Sequence, residues 1–177
     1  MKIIDNFFSD SEYKQFVIDS KAHDRVFGDY NSETRYITKN KMSNEFKKII
    51  SASYKKLNYQ GVEYWPQNSK YHSKNGVYDF ERHKDEKEFI ENGVSVTHIP
   101  EITFVYYVEL SKNYAGGELM IYTDECNQTE VEVVVPKKNR LVIFDGNNEH
   151  EVMGFDGDRL SVVLNPWNTP PAYTIID

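Results

Sequence analysis

The sequence has 177 residues, of which 39% are hydrophobic and 14% aromatic; this excludes a disordered chain and fits one domain with one sizeable core. The formal charge of −7 and the absence of a sustained Lys/Arg cluster argue against nucleic acid as a partner. A single cysteine excludes a disulfide framework, and no segment resembles a membrane span or a signal peptide, so we expect a soluble, cytoplasmic protein with no membrane partner.

Two helices are predicted near the start of the chain. Apolar residues at helical spacing predict a helix over about residues 9–21, beginning at Asn6 or Ser9. Residues 44–59 show the same spacing, and Ser43 is placed to cap that helix. We expect residues 1–60 to be a mainly helical support within a single domain that covers residues 1–177.

The sequence after Gly61 is typical of many short strands. Runs of β-branched and aromatic residues alternate with Gly, Asn, Pro and Asp. The predicted strands are residues 62–65, 69–72, 76–82, 102–109, 118–123, 129–135, 140–144 and 159–165. So many strands without helices between them favour a sandwich, a barrel or a double-sheet jelly roll.

Three turns can be predicted from their residues. Gly116 and Gly117 permit a positive φ or a close backbone approach, and Asn139 ends a turn in the left-handed region. Residues 154–158 predict a hairpin connection that leads into the strand beginning at Arg159.

The first candidate for chemistry is the pair His83 and Asp85. Two residues apart on a strand, both side chains would project from one face toward one point. With 5 His and 28 acidic residues, about one such pair is expected by chance, so the pair alone is a weak signal. His150 would complete a set of two imidazoles and one carboxylate. Such a set suits non-haem Fe(II), although the ligands alone also permit zinc with an open position.

The alternative for His150 is a turn residue or a half-buried core histidine. Arg159 weighs against this, because it lies in a predicted strand whose neighbours are apolar. An inward guanidinium requires an anion, since an unpaired buried charge costs several kcal/mol. Ser161 shares the face of Arg159 and offers a second hydrogen bond.

Five segments resemble one known family, the Fe(II)- and 2-oxoglutarate-dependent dioxygenases, and within it the prolyl 4-hydroxylase-like group. In chain order they are YDFERHKDE, ITFVYYVEL, YAGGELMIY, VPKKNRLVIFDGNNEHEV and DGDRLSVVLNPW. The resemblance covers roughly residues 70–167. It implies a mainly β fold, a cupin-like double-stranded β-helix or jelly roll over residues 61–177, with the N-terminal helices packed on one sheet.

The resemblance also implies a ligand set for iron. It makes His83, Asp85 and His150 the metal ligands and Arg159 the clamp for the distal carboxylate of 2-oxoglutarate. A guanidinium fork fits a carboxylate in this role.

Further positions of the resemblance concern the cosubstrate. Tyr107 matches the residue whose hydroxyl helps to hold the same carboxylate, and Ser161 adds a donor beside Arg159. Thr103 is expected to line the pocket, with Leu119 as a wall against the cosubstrate. Asn165 lies near the place where many relatives have an aromatic residue.

The implied activity is hydroxylation of a substrate C–H with Fe(II), 2-oxoglutarate and dioxygen, and with ascorbate as an accessory reductant. The group resembled favours a prolyl residue in a peptide or protein as the substrate. The alternatives are a free amino acid or another small molecule as the substrate, a zinc or iron cupin hydrolase that ignores 2-oxoglutarate, and a non-catalytic jelly-roll binding module.

Overall fold

The computed structural model describes residues 1–24, 35–68, 78–125, 128–172 and 175–176. The first elements are β1 (Lys2–Asp5), α1 (Asp10–Asp24), β2 (Arg35–Thr38), α2 (Asn44–Ser51) and β3 (Gly61–Asn68). They are followed by β4 (Tyr78–His83), β5 (Lys87–Glu91), β6 (Val94–His98), β7 (Ile102–Leu110), β8 (Ala115–Gly116) and β9 (Leu119–Glu125). The last are β10 (Gln128–Val134), β11 (Arg140–Asp145), β12 (Glu149–Asp156), β13 (Arg159–Trp167) and β14 (Ile175–Ile176). The predicted strand 69–72 lies outside the described residues.

Two sheets form the body of the molecule. The larger sheet has the strand order β1-β11-β7-β13-β3-β2-β14, and the smaller has the order β10-β9-β12-β4, with β8 beside β12. Apart from the parallel pair of β14 and β2, the pairs are antiparallel. Buried side chains from both sheets meet in one cluster that includes Tyr107, Leu119, Ile121 and Phe144. This confirms the predicted jelly roll, a double-stranded β-helix.

The outer face of the larger sheet carries the second part of the core. Phe8, Phe16, Ile49 and Ile50, from α1, α2 and the segment before α1, pack there against strand residues such as Tyr106. The predicted support of one sheet by N-terminal helices is thus confirmed. Neither described helix combines the length and the apolar character needed to cross a membrane.

The helix starts follow the sequence, but the end of α2 does not. Ser43 caps α2 by accepting a hydrogen bond from Phe46 N at 3.2 Å, as predicted. Helix α1 begins directly after Ser9, the second of the two predicted starts. The prediction that α2 continues to residue 59 is wrong, because it ends at Ser51. Leu57 still packs on the core as a half-buried residue, so its place in the apolar pattern reflects tertiary packing and not helix.

The predicted turns are mostly confirmed. Gly116, Gly117 and Asn139 have φ values of 81°, 71° and 58°. The predicted hairpin at residues 154–158 is wrong, because β12 and β13 belong to different sheets and the connection passes from one sheet to the other. The strand pair β5–β6 was not predicted, since most of its residues are exposed and show little apolar alternation. Its Asn-Gly turn at residues 92–93, with both φ values positive, was the available signal.

Candidate active site

Pairing of β4 with β12 brings two histidines together. His83 and His150 are directly opposite each other in this antiparallel pair, so their side chains leave the sheet on the same face. The ring centroids are 4.5 Å apart. Residues far apart in the chain therefore present two imidazoles at one point.

Asp85 reaches the same point from a turn and not from a strand. Strand β4 ends at His83, and Glu86 N donates to Lys84 O at 2.8 Å in the turn that follows. The expectation that His83 and Asp85 share a strand face is therefore wrong, although the turn achieves the same convergence. Asp85 Oδ1 lies 3.8 Å from Nε2 of both His83 and His150.

The donor set fits a divalent metal ion. One ligand atom from each of His83, Asp85 and His150 lies within 4.8 Å of the others. The Nδ1 atoms face backbone carbonyls, at 2.6 Å from Glu81 O and 3.3 Å from Asn148 O, which favours the tautomer with a free Nε2 lone pair. Two imidazoles and one carboxylate suit iron with open positions, and zinc is also compatible.

The residues around this cluster favour the binding of a metal ion. Burial lowers the pKa of His150 below its ordinary value, against the opposing charge of Asp85, and a metal ligand must be the neutral imidazole. Fully buried Thr103 donates to Asp85 Oδ2 at 3.1 Å, so that the other carboxylate oxygen faces the imidazoles. The Phe144 ring packs edge-on against His150, with centroids 5.0 Å apart.

A cavity of about 60 Å³ joins the cluster to a buried cation. Because one water molecule needs about 15 Å³, the space admits a small ligand portion of several atoms. Arg159 is only 3% exposed. Its Nη2 donates to Gln67 Oε1 at 3.5 Å, and its guanidinium lies 4.5 Å from the centre of the Phe155 ring. The cavity is lined by Trp65, Gln67, His83, Asp85, Val105, Tyr107, Leu119, His150, Val152, Arg159, Ser161 and Val163.

Three further residues expected near a cosubstrate line this cavity, namely Tyr107, Leu119 and Ser161. Burial raises the pKa of Tyr107 while Arg159 opposes the shift, and the net rise keeps its phenol protonated as a donor. The Ser161 hydroxyl donates to Gln67 Oε1 at 3.4 Å. Thr103 differs from its expected position, because it lies behind Asp85 and is not among the lining residues.

Gln67 lines the cavity beside Trp65 but was not predicted as a site residue from the sequence. Both are on β3, where Gln67 is paired with Ser161 and Trp65 with Val163. The predicted strand ended at residue 65, which left Gln67 outside it. The spacing that places Trp65 and Gln67 on one face of a strand could be recognised in the sequence, but the pairing of β3 with β13 could not.

Asn165 also lies on the cavity-facing side of β13. It is four residues after Ser161, which lines the cavity, so the two side chains share one face of the strand. Asn165 is fully buried, and neither polar atom of its amide has a hydrogen-bond partner among the described residues. A buried amide therefore lies near the position at which the family resemblance implies an aromatic residue.

The comparison with family models agrees with this site. The model of the 2OG-Fe(II) oxygenase superfamily, in which 2OG is 2-oxoglutarate, matches residues 66–167. The chain therefore belongs to the 2OG-Fe(II) oxygenase superfamily, and the predicted resemblance is confirmed.

Solved structures share the fold at low sequence identity. A prolyl-4-hydroxylase from Pseudomonas putida is 14% identical with a TM-score of 0.60, over 96% of this chain and 88% of that one. A prolyl hydroxylase from Trichoplax adhaerens, in complex with a hypoxia inducible factor oxygen degradation domain peptide fragment, is 20% identical with a TM-score of 0.54, over 94% and 83%. HygX from Streptomyces hygroscopicus, with nickel and 2-oxoglutarate bound, is 11% identical with a TM-score of 0.52, over 93% and 81%. A comparison with curated proteins found no significant match.

Proposed function

We propose that this protein is an Fe(II)- and 2-oxoglutarate-dependent hydroxylase that acts on a prolyl residue in a peptide or protein. The observation that carries the proposal is the convergence of His83, Asp85 and His150 at one part of a cavity that also contains the buried cation of Arg159. A metal-binding cluster and an anion-binding group in one small cavity match a dicarboxylic cosubstrate.

The residues of the cluster have distinct roles in this proposal. His83 and His150 would bind iron through Nε2, and Asp85 would bind it through Oδ1. When bound, Fe(II) supplies the redox chemistry by which dioxygen and 2-oxoglutarate convert a C–H bond to C–OH and yield succinate and carbon dioxide. Asp85 contributes the only carboxylate of the three, so it offsets part of the metal charge. Ascorbate is proposed as an accessory reductant.

The other part of the cavity would bind the distal carboxylate of 2-oxoglutarate. The Arg159 guanidinium offers two parallel N–H donors, and the protonated phenol of Tyr107 offers a third. Ser161 adds a hydroxyl beside Arg159. Leu119 would form an apolar wall along the carbon chain, and the burial of these groups excludes water and strengthens each hydrogen bond.

The exposure of the two histidines indicates the side from which a substrate would approach. The His83 side chain is 47% exposed, whereas that of His150 is 9% exposed. The cluster is therefore open to solvent on the side of His83, where an extended peptide has room to bind. The preference for proline is supported by the prolyl 4-hydroxylase-like sequence segments and by the shared fold.

Binding of 2-oxoglutarate tests the reaction class. Anaerobic addition of Fe(II) and 2-oxoglutarate should give a weak visible charge-transfer absorption band in the wild-type protein. Arg159→Ala should weaken 2-oxoglutarate binding by roughly 100-fold, because truncating one partner of a buried charge pair costs about 2–5 kcal/mol. The control is Lys48→Ala, which removes a cation paired with Glu12 on the helices and should leave the affinity unchanged.

Two outcomes of that experiment would contradict the proposal. Equal affinity in Arg159→Ala and wild type would remove Arg159 from the cosubstrate site. A wild-type protein without the band, and without succinate release in air, would favour a binding module or a hydrolase.

The substrate is tested separately by incubating peptide libraries with the Fe(II)-loaded protein, 2-oxoglutarate and air. Mass spectrometry should detect a gain of one oxygen atom on proline-containing peptides. Modification of free amino acids alone would contradict the proposed substrate and leave the reaction class intact.

A further inference from the structure

The chain directly after His83 is fixed to the larger sheet at three alternating residues. Asp85 accepts the hydrogen bond from Thr103 on β7. Lys87 Nζ lies 3.1 Å from Glu63 Oε1 on β3. Phe89 packs edge-on against Trp167 on β13, with ring centroids 5.0 Å apart. The three attachments begin at Asp85 and are two residues apart. They determine where the chain runs beyond the metal-binding cluster.

The middle attachment is an ion pair between a buried carboxylate and a half-buried ammonium. Glu63 is fully buried, and besides Lys87 it contacts Trp167, whose Nε1 donates to Glu63 Oε2 at 3.1 Å. Lys87 is 29% exposed in its side chain, and its ammonium lies 5.4 Å from the centre of the Trp65 ring. Trp65 is two residues after Glu63 and lines the cavity. The pair therefore lies on the cavity-facing side of β3.

Stability alone does not account for such a pair. Removing a carboxylate from water costs several kcal/mol, and well-packed apolar residues in place of a buried ion pair are often equally stable or more so. The position of the ion pair, close to Asp85, provides a different explanation for its presence. Lys87 is only two residues from Asp85, so fixing Lys87 fixes the direction of the backbone that carries the Asp85 carboxylate.

We propose that Glu63 is a positioning residue for the metal site. Through its ion pair with Lys87 it holds the backbone at Asp85, while Thr103 orients the carboxylate itself. The inference rests on the proposed role of Asp85 as a metal ligand. Groups that support metal ligands typically contribute about 10- to 100-fold to metal affinity, and we expect an effect in this range.

Titration with Mn(II) alone, followed by the electron paramagnetic resonance signal of the free ion, tests this role. Glu63→Gln keeps an oxygen acceptor for Trp167 but removes the charge that holds Lys87, so it should weaken Mn(II) binding at least about 10-fold. The matched control is Glu12→Gln, which breaks the exposed pair with Lys48 (2.8 Å) between α1 and α2, neither of which lines the cavity, and should leave the affinity unchanged.

A double-mutant cycle tests whether Glu63 acts through Lys87. The variant Glu63→Gln/Lys87→Met should bind Mn(II) no more weakly than the weaker single variant, because both changes break one interaction. Lys87→Arg retains the charge and should retain most of the affinity. If the losses of Mn(II) affinity in the two single variants add in the double variant, Glu63 does not act through Lys87, which would overturn the proposal.

The remaining outcomes separate this inference from the proposed function. If Asp85→Ala binds Mn(II) as tightly as wild type, the proposed ligand set is wrong. If Asp85→Ala loses binding while folded Glu63→Gln and the double variant keep wild-type affinity, the ligand set stands and the positioning role is wrong. Lower unfolding free energy with unchanged Mn(II) affinity would show a merely structural role and would also overturn the inference.

Discussion

At the scale of single residues, the hydroxyl of Thr103 is the most direct support of Asp85. It donates to a carboxylate oxygen that is otherwise buried. Thr103→Val keeps the shape and removes the donor, so we expect about 10-fold weaker Mn(II) binding and a loss of about 1–3 kcal/mol in the free energy of unfolding. Mn(II) titration and urea unfolding measure the two effects.

The matched control for this change is Thr38→Val at the end of β2, which removes a hydroxyl that donates to Oδ1 of exposed Asn40 at 2.7 Å. It should change neither quantity appreciably. Wild-type metal affinity in Thr103→Val would show that the Asp85 carboxylate is oriented without this hydrogen bond.

Individual residues differed in how well the sequence predicted them. His83, Asp85, His150 and Arg159 were predicted because each lies in a segment with a recognisable pattern. Glu63 was not, because its contact with Lys87 depends on a chain path between two strands that no local pattern encodes. Ordinary residues that become neighbours only through tertiary structure leave no signal of their own.

At the scale of elements, the turn between β11 and β12 sets the position of His150. A Cβ atom on Gly146 would lie 1.8 Å from Pro100 O, a backbone atom that cannot move freely. Gly146→Ala should therefore displace the turn, weaken Mn(II) binding and lower the unfolding free energy by more than 1 kcal/mol.

The control for the turn is Gly93→Ala in the β5–β6 turn, where a Cβ would meet no atom within 4 Å but the φ of 79° is unfavourable for alanine. It should cost only about 1 kcal/mol and leave metal affinity unchanged. Equal effects of the two variants on metal affinity would contradict a specific role of the Gly146 turn.

Asp5 makes the attachment of the edge strand β1 dependent on pH. Its carboxylate accepts hydrogen bonds from Arg140 at 2.6 and 3.0 Å and from Lys137 at 2.9 Å. These bonds, above all that of Arg140, hold the pKa of Asp5 well below its ordinary value of 3.8. The contribution to stability is therefore complete above the ordinary pKa and is lost as the pH falls toward the lowered one.

Asp5→Asn should consequently be less stable than wild type at pH 7, and the difference in unfolding free energy should shrink as the pH falls below about 3.8. Urea unfolding of both proteins at several pH values measures it. A difference that does not vary with pH would show that the charge of Asp5 is unimportant.

The elements also show why some of the topology was not predictable. Gly157 has a φ of 90° and turns the chain between β12 and β13 as a hairpin glycine would. The sequence therefore predicted a hairpin, whereas the two strands separate into different sheets. Turn residues specify a local reversal, but the choice of partner strand depends on which faces are buried.

At the scale of the whole molecule, we propose that the chain is one domain that unfolds as a unit. Ile49 of α2 is fully buried against the outer face of the larger sheet. Ile49→Ala should lower the unfolding free energy by about 2–5 kcal/mol. The two tryptophans, Trp65 and Trp167, are on the cavity-facing side of that sheet and report its unfolding by fluorescence.

Under this proposal, Ile49→Ala should shift the fluorescence transition and the circular dichroism transition together. Val142→Ala, in the core between the sheets, is the matched comparison and should shift both in the same way. A fluorescence transition unmoved by Ile49→Ala would contradict a single unfolding unit.

The proposed function requires one metal ion to bind between two imidazoles and an aspartate, with a dicarboxylic acid held by the buried guanidinium. A crystal structure of the protein with Mn(II) and 2-oxoglutarate, grown without oxygen, tests it most directly. We expect one anomalous scattering peak within coordination distance of His83 Nε2, Asp85 Oδ1 and His150 Nε2, and a carboxylate against Arg159. A metal ion bound elsewhere, or an Arg159 side chain turned toward bulk water, would contradict it.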